Sequence, residues 1–323
     1  VRLARKRPRL CVACAFFFYV FAGLTVSDVG SLEIPVGEGV SCPAPDPDGA
    51  RSLTVLQGNL WMLPVRPLLV PYAFSTDREA RLGRLVSAVR ECRPDVIILQ
   101  EIFERSVARL IADNLPEYHA VTSGETDFTG TVNTSGLMTL TRLPVGETRF
   151  HAFGPLASGS PAYEMIAGKG ALAVDLRDGD MDLTILNVHL FGSQYPANAG
   201  AERSGQLEEV LDFVARLERE GRRVLIGGDF NIPRDELAAR LPGGWAMSQH
   251  GATYDPVHNP YTVQGANDTE GNREDRRLGR GTRTIDFLLA PPDAGVTLSS
   301  RIMHSLVISD HEFLHHVVRL DRA

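Results

Sequence analysis

The sequence predicts an α/β body in which mixed sheets pack together and helices lie outside. Three observations lead there. Short apolar runs alternate with amphipathic helical periods, as βα units do. Two further runs flank Asp178-Gly179, a hairpin signal that a purely parallel sheet would not contain. The length of 323 residues admits two small domains or one large α/β domain, and a chain of ~300 residues buries roughly 75% of its unfolded surface.

The elements follow in order. Leu53 to Leu56 (LTVL) is the first expected strand. Thr76 and Glu79 form a capping box. Leu82, Leu85, Val86 and Val89 then recur at i, i+3, i+4 and i+7, one face of a helix that Pro94 stops. Asp95 to Leu99 (DVIIL) is a buried-type strand ending in Gln100-Glu101. Val107, Leu110 and Ile111 mark a second helix, and strands are expected at 137–141, 171–176 and 182–188. Leu207, Val210, Leu211, Val214 and Leu217 make a third helix. Val224 to Ile226 is another buried strand, running into Gly-Gly-Asp-Phe-Asn. Thr284 to Leu289, Ile302 to Ile308 and Phe313 to Leu320 close the chain as strands. Residues 242–283 are rich in Gly, Asn, Asp and Arg without periodicity. They read as long loops, which in enzymes often shape the substrate site.

The first 30 residues stand apart. Five cations (Arg2, Arg5, Lys6, Arg7, Arg9) lead into the uncharged run Leu10 to Leu24, the pattern of a signal peptide. The uncharged stretch continues to Ser27, near the lower limit of ~17 residues for a spanning helix, so an uncleaved anchor is the alternative. A buried core helix is a third reading, disfavoured by the cations. A leader of this kind implies export, secreted or periplasmic, whereas an anchor would hold the body at a membrane. Residues 31–50 read as a linker, with SCPAPDPDGA at 41–50, and 51–323 as the folded body. Cys11 and Cys14 form a lone CxxC without partner ligands. In an exported body Cys42 and Cys92 remain, and a bridge between them and two free thiols fit equally well.

Of 33 basic and 40 acidic residues, five basic and one acidic lie in the first 30, so the rest carries a net charge of -11. An acidic body argues against sequence-independent binding of nucleic acid, which needs phosphate-neutralising cations. It does not argue against a metal-dependent enzyme, because a dication supplies positive charge locally.

The informative polar residues sit at strand ends. Asn59 follows the first strand, Glu101 follows DVIIL, and His189 ends LTILNVH. Asp229 and Asn231 follow VLIGG, Asp286 lies within TIDFLL, and Asp310-His311 follow LVIS. Taken singly, each has a plain reading. An Asp or Asn after a strand is more often a turn former, and Asp229 and Asn231 alone read first as a turn. If extended, their i, i+2 spacing points both the same way. A Glu after a strand is usually exposed, and His189 also fits a satisfied core. Asp286 is harder to dismiss, since a buried carboxylate needs a partner. His315 and His316 read as structural. Converging strand ends would assemble carboxylates, carboxamides and imidazoles in one cleft. Oxygen ligands of that kind suit Mg²⁺ or Mn²⁺ rather than zinc. A histidine held by a carboxylate can serve as general base on water. Lys169, between Gly168 and Gly170, could contact phosphate or be a turn lysine, and GxxxxGK[ST] is absent.

The ordered blocks Gln-Glu, Asn-x-His, Gly-Asp-Phe-Asn, Ile-Asp-Phe and Ser-Asp-His resemble the endonuclease/exonuclease/phosphatase superfamily over roughly residues 53–320. Within it the chain looks most like the neutral sphingomyelinase branch, through NLWMLP (59–64), ILQEIF (98–103), GLMTLTRLPV (136–145), GKGAL (168–172) and NVHL (187–190) through the Gln206-Leu207 helix. The resemblance implies a four-layer α/β sandwich and a catalytic domain over 51–323. It implies Mg²⁺ bound by Glu101 with help from Asn59 and Asp310, with Mn²⁺ or Co²⁺ as substitutes. It implies His311 as general base oriented by Asp286, and His189 stabilising the pentacovalent phosphorus. Asp229 and Asn231 would position nucleophile and phosphate, Asp229 also protonating the leaving group. The implied substrate is a phospholipid or other phosphodiester, met by transient membrane contact. Some secreted bacterial sphingomyelinases carry a protruding aromatic hairpin that has no clear counterpart here. Trp61, Met62, Leu63 and PLLVPYAF (67–74) could form a lipid-facing lip or belong to the core. Three alternatives stand beside lipid hydrolysis: a nuclease of the same superfamily, a non-catalytic lipid-binding module, and a sugar- or inositol-phosphate monoesterase. No stable nucleic-acid partner is expected.

Overall fold

The computed structural model describes residues 42, 52–62, 77–124, 135–161, 164–165, 167–179, 181–192, 198–255, 259, 261 and 281–321. The signal or anchor segment, the linker apart from Cys42, Thr76, Leu63 with 67–74, and the 262–280 part of the expected loops lie outside the described residues. The elements run β1 (Ser52–Met62), α1 (Arg78–Cys92), β2 (Val96–Ile102), α2 (Arg105–Asn114), β3 (His119–Thr122), β4 (Met138–Thr141), β5 (Val145–Ala152), β6 (Gly170–Asp178) and β7 (Met181–His189). Then come α3 (Ala199–Arg219), β8 (Arg223–Asp229), α4 (Arg234–Arg240), β9 (Ala246–Met247), β10 (Asp286–Ala290), β11 (Val296–Ile302) and β12 (Leu314–Leu320).

The strands form two six-stranded sheets, ordered β11-β12-β1-β2-β4-β3 and β5-β6-β7-β8-β10-β9. Both are mixed: β1–β2 and β7–β8 are parallel and their other pairs antiparallel. Period-two alternation divides each buried strand between two cores. Val96 and Ile98 enter the layer between the sheets, with Val55, Ile185 and Leu225. Ile97 and Leu99 face the other way, onto Leu85 and Val89 of α1 and Ile111 of α2. On the second sheet, Leu186, Val188 and Ile226 meet Leu207, Val210 and Val214 of α3 and Leu237 of α4. Helices, sheet, sheet, helices make the expected four-layer α/β sandwich.

Several expected elements shift. β1 is eleven residues long, so Asn59, Trp61 and Met62 belong to the strand rather than follow it. Trp61 and Met62 are buried, which removes them from a lipid-facing lip. The α1 N-cap is Asp77, in the left-handed region and without a side-chain cap, in place of a box built on Thr76. The penultimate strand is Val296–Ile302 rather than 302–308. It alternates half-buried and exposed residues, so it has no apolar run to announce it. The 178–179 hairpin is present, with Asp178 paired to Met181 and Gly179 at φ 61°. Cys42 and Cys92 are joined by a disulfide.

Candidate active site

Strand direction gathers the polar residues at one edge. In the parallel pair β7–β8, His189 lies beside Asp229. β10 runs antiparallel to β8, so its first residue, Asp286, lies beside Asp229, the last of β8. Asn59 is opposite Gln100 in the parallel β1–β2 pair, and Glu101 is the next residue. β12 is antiparallel to β1 with Leu314 against Gln57, which brings the preceding Asp310-His311 to the same edge. Just behind that edge, amides cross between the sheets. Gln57 Nε2 donates to the Gly228 and Phe287 carbonyls, at 3.2 and 3.1 Å. Gln100 Nε2 donates to Asn187 Oδ1 at 2.8 Å, and Asn187 Nδ2 to the Leu99 and Met138 carbonyls.

The backbone is specialised here. Glu101 has φ 61° and Asn231 φ 51°, left-handed values that are uncommon outside glycine. Asn231 N donates to Asp229 Oδ1 at 2.9 Å, closing an Asx turn, so the segment is not extended and the i, i+2 alignment does not hold. Gly228 has φ 151°, and a Cβ there would overlap the Val188 carbonyl, which explains the glycine before Asp229.

Asn59 Nδ2 donates to Glu101 Oε1 at 3.0 Å and to Asp229 Oδ2 at 3.2 Å. His189 Nε2 lies 4.0 Å from Glu101 Oε1 and 3.7 Å from Asp229 Oδ2. His311 Nδ1 meets Asp286 Oδ2 at 2.9 Å, and its Nε2 lies 3.8 Å from Asp229 Oδ2. Asp310 accepts from Ser309 Oγ at 3.1 Å. Lys169 Nζ lies 3.2 Å from Glu164 Oε2 and 3.2 Å from His189 Nε2, and donates to the Leu190 carbonyl at 2.7 Å. Lys169 is thus a buried member of the cluster and not a turn lysine. Asn231 reaches the same Leu190 carbonyl through Nδ2, at 3.4 Å. Every residue singled out from the sequence as a site candidate is therefore in the one cluster.

Asn59 orients the carboxylates with its donor end, and its Oδ1 accepts from Trp61 N at 3.0 Å, which leaves a second lone pair on that oxygen. Further atoms fit a hard cation. Glu101 Oε2 and Asp286 Oδ1 are buried without a hydrogen-bond partner among the described residues. Asp229, Asp286 and His311 each bring a ligand atom within 4.8 Å of the others. An uncompensated buried carboxylate is costly, and a divalent cation relieves that cost.

Protonation follows from burial. Burial, and then the neighbouring Asp310, raise Glu101 to about 7. Burial, and then Asp286, raise Asp229 to about 6. Burial, and then the Lys169 charge, push His189 well below 6.5, so it is neutral. For His311 burial opposes the charge, but Asp286 and Asp229 outweigh it and hold its proton well above the ordinary value.

Three participants escaped the sequence reading. Glu164 sits in PAYEMI, which has no periodic signal. Tyr254 places its ring edge-on to His311, centroids 5.5 Å apart, from an irregular segment. Arg81 is fully buried. It did leave a signal, because Arg81, Leu85 and Val89 stand at i, i+4 and i+8 on the apolar face.

Comparison with known proteins adds the following. Sphingomyelinase C from Streptomyces griseocarneus shares 19% identity at a TM-score of 0.64, covering 83% of this chain and 99% of its own. A mutant beta toxin from Staphylococcus aureus with bound magnesium ions shares 17% identity at a TM-score of 0.63, covering 84% and 100%. TDP2 of D. rerio, complexed with single strand DNA product, shares 17% identity at 0.58, covering 83% and 98%. These likenesses are of fold. No curated protein matches the chain in sequence. The model of the Endonuclease/Exonuclease/phosphatase family matches residues 56–311, and the chain belongs to that family.

Proposed function

We propose that the chain is an exported, metal-dependent phosphodiester hydrolase of sphingomyelinase type, which releases the phospho-head group of a phospholipid. The observation that carries this reading is the single cluster running by hydrogen bonds from Glu101 through Asn59 to Asp229, by a 3.8 Å contact from Asp229 to His311, and by a hydrogen bond from His311 to Asp286. Glu101, with Asp310 close enough to raise its pKa, forms the cation-binding side, and Asp229, Asp286 and His311 form the acid–base side. Mg²⁺ suits these oxygen donors, with Mn²⁺ or Co²⁺ as substitutes. A bound dication supplies positive charge at the phosphoryl oxygens and the attacking water.

The chain's own groups do the rest. Asp286 locks His311 through Nδ1, and with the Asp286 and Asp229 charges that hold its proton offset by a bound dication, Nε2 is free to take the proton of the water. Asp229, raised to about 6 by burial, holds a proton more readily than an ordinary carboxyl and gives it to the leaving oxygen. Lys169, balanced by Glu164, faces neutral His189, and the pair stabilises charge on the phosphoryl group from the other wall. Asn231, fixed by its turn, positions the phosphate. Export is supported by the basic-apolar start of the sequence and by the Cys42–Cys92 disulfide.

The test is a substrate panel with Mg²⁺: sphingomyelin vesicles, plasmid DNA and an inositol phosphate. Choline-phosphate release that EDTA abolishes is expected. The DNA-bound relative motivates the nuclease reading, and nicking of plasmid without lipid turnover would replace the lipid substrate by nucleic acid. Vesicle binding without turnover in any metal would point to a binding module. Turnover of the inositol phosphate alone would point to a monoesterase.

A further inference from the structure

We propose that Arg81 is a positioning residue for the cation-binding side of the site, acting through the backbone turn at Trp61. Arg81 lies on α1 and is fully buried. Its Nη1 donates to the Leu60 carbonyl at 2.9 Å and the Ile308 carbonyl at 3.1 Å. Its Nη2 donates to the Trp61 carbonyl at 2.9 Å and touches Met62 Sδ at 3.6 Å. The guanidinium also lies over the rings of Trp61 and Tyr261, 5.1 and 5.4 Å from their centroids.

Those carbonyls belong to the two segments that carry the site. Trp61 has φ 50°, a left-handed value that a bulky residue takes only when its surroundings impose it. The β1–β2 register breaks between Asn59 and Met62, at this turn. The turn lets Trp61 N donate to Asn59 Oδ1, and that bond decides which end of the amide faces Glu101 and Asp229. On the other side, Ile308 leads into Ser309, Asp310 and His311, and the Asp310 charge acts on Arg81. Tyr261, under the same guanidinium, accepts a 2.6 Å bond from Arg84 at its hydroxyl. Its backbone N bonds Asn259, which in turn holds the Ser309 carbonyl. One forked cation therefore sets the separation of the Asn59–Glu101 and Asp310–His311 segments. Only an arginine can address three carbonyls and two rings at once.

The inference rests on Glu101 being a cation ligand. Its test is Mg²⁺ binding by the full chain, read by titration calorimetry and so independent of turnover. Arg81→Lys keeps charge and most of the volume but loses the fork. It should weaken Mg²⁺ binding about tenfold, the scale for losing a group that orients a metal ligand. Turnover should fall with little change in KM. Glycine accepts positive φ unaided, so in a Trp61→Gly background the Arg81→Lys effect should shrink below about threefold. Wild-type Mg²⁺ affinity in folded Arg81→Lys, or equal losses in both backgrounds, overturns the proposal. If Arg81→Lys does not fold, Trp61→Val opposes the same turn with the arginine in place. Weaker Mg²⁺ binding is then expected, and unaltered binding overturns the proposal. Glu101→Gln separates the two levels. If it leaves Mg²⁺ affinity intact, the reading of the site fails and takes this inference with it. If it weakens binding while Arg81→Lys does not, only the role of Arg81 falls.

Discussion

The two ends of the layer between the sheets are made by the same strands and could hardly differ more. At one end Leu53, Val55, Leu176, Leu183, Ile185 and Val318 pack as an apolar core. Two residues after Val55 on β1 comes Gln57, and two further on Asn59. On β2, Val96 and Ile98 give way to Gln100, and on β7, Leu183 and Ile185 give way to Asn187 and His189. The period-two phase is unbroken while the chemistry changes from hydrocarbon to amide to ion. In the middle the amide nitrogens are used on the facing sheet, and at the far edge carboxylate oxygens stay without partners among the described residues. Rigidity is thus generated at one end and reactivity held at the other, with a hydrogen-bonded belt between them.

Substitutions at the two ends should separate turnover from stability. The largest effect belongs to the charged edge. His311→Ala and Glu101→Ala should each lower kcat by about 10²–10⁴-fold, the range for losing a general base or its electrostatic counterpart, with thermal unfolding little changed. Near-wild-type turnover in either would remove that residue from the chemistry. Next comes the apolar end. Leu183→Ala should cost about 2–5 kcal/mol in denaturant unfolding and leave kcat of the folded fraction intact. A matching loss of kcat would mean that the two ends are mechanically one. The smallest effect is in pH. Glu101 at about 7 and Asp229 at about 6 are raised above ordinary carboxyl values, so protons compete with a dication in that window. Mg²⁺ affinity should fall as pH drops from 7 to 6, by up to about tenfold per unit for each proton displaced. Calorimetry in buffers of different ionisation enthalpy would show proton release, and a flat profile would place the ion away from these acids.

The charged edge was legible from sequence because each polar residue interrupts or ends an apolar run, as Glu101 does after VIIL and Asp229 after VLIGG. The four-layer arrangement was legible mainly through the order of those motifs. The exposed strand β5 and the half-exposed β3 and β11 were not, since a strand facing water on one side has no run to detect. The turn at Trp61 was hidden for another reason. Nothing local demands positive φ of a tryptophan, and Arg81, from twenty residues along the chain, supplies the demand. The Asx turn at Asn231 shows the reverse, a local preference legible in the sequence, where Asp229 and Asn231 read first as a turn.

The bond between Cys42 and Cys92 ends on the last residue of α1, the helix that carries Arg81. It closes a loop spanning 50 positions, and cross-linking a loop of that size stabilises by about 4 kcal/mol on the chain-entropy account. Thiol chemistry therefore reaches the helix behind the cleft without touching the cleft itself. Material prepared in a reducing cytosol begins with that helix untethered, so the oxidant present during maturation becomes part of what defines the native molecule.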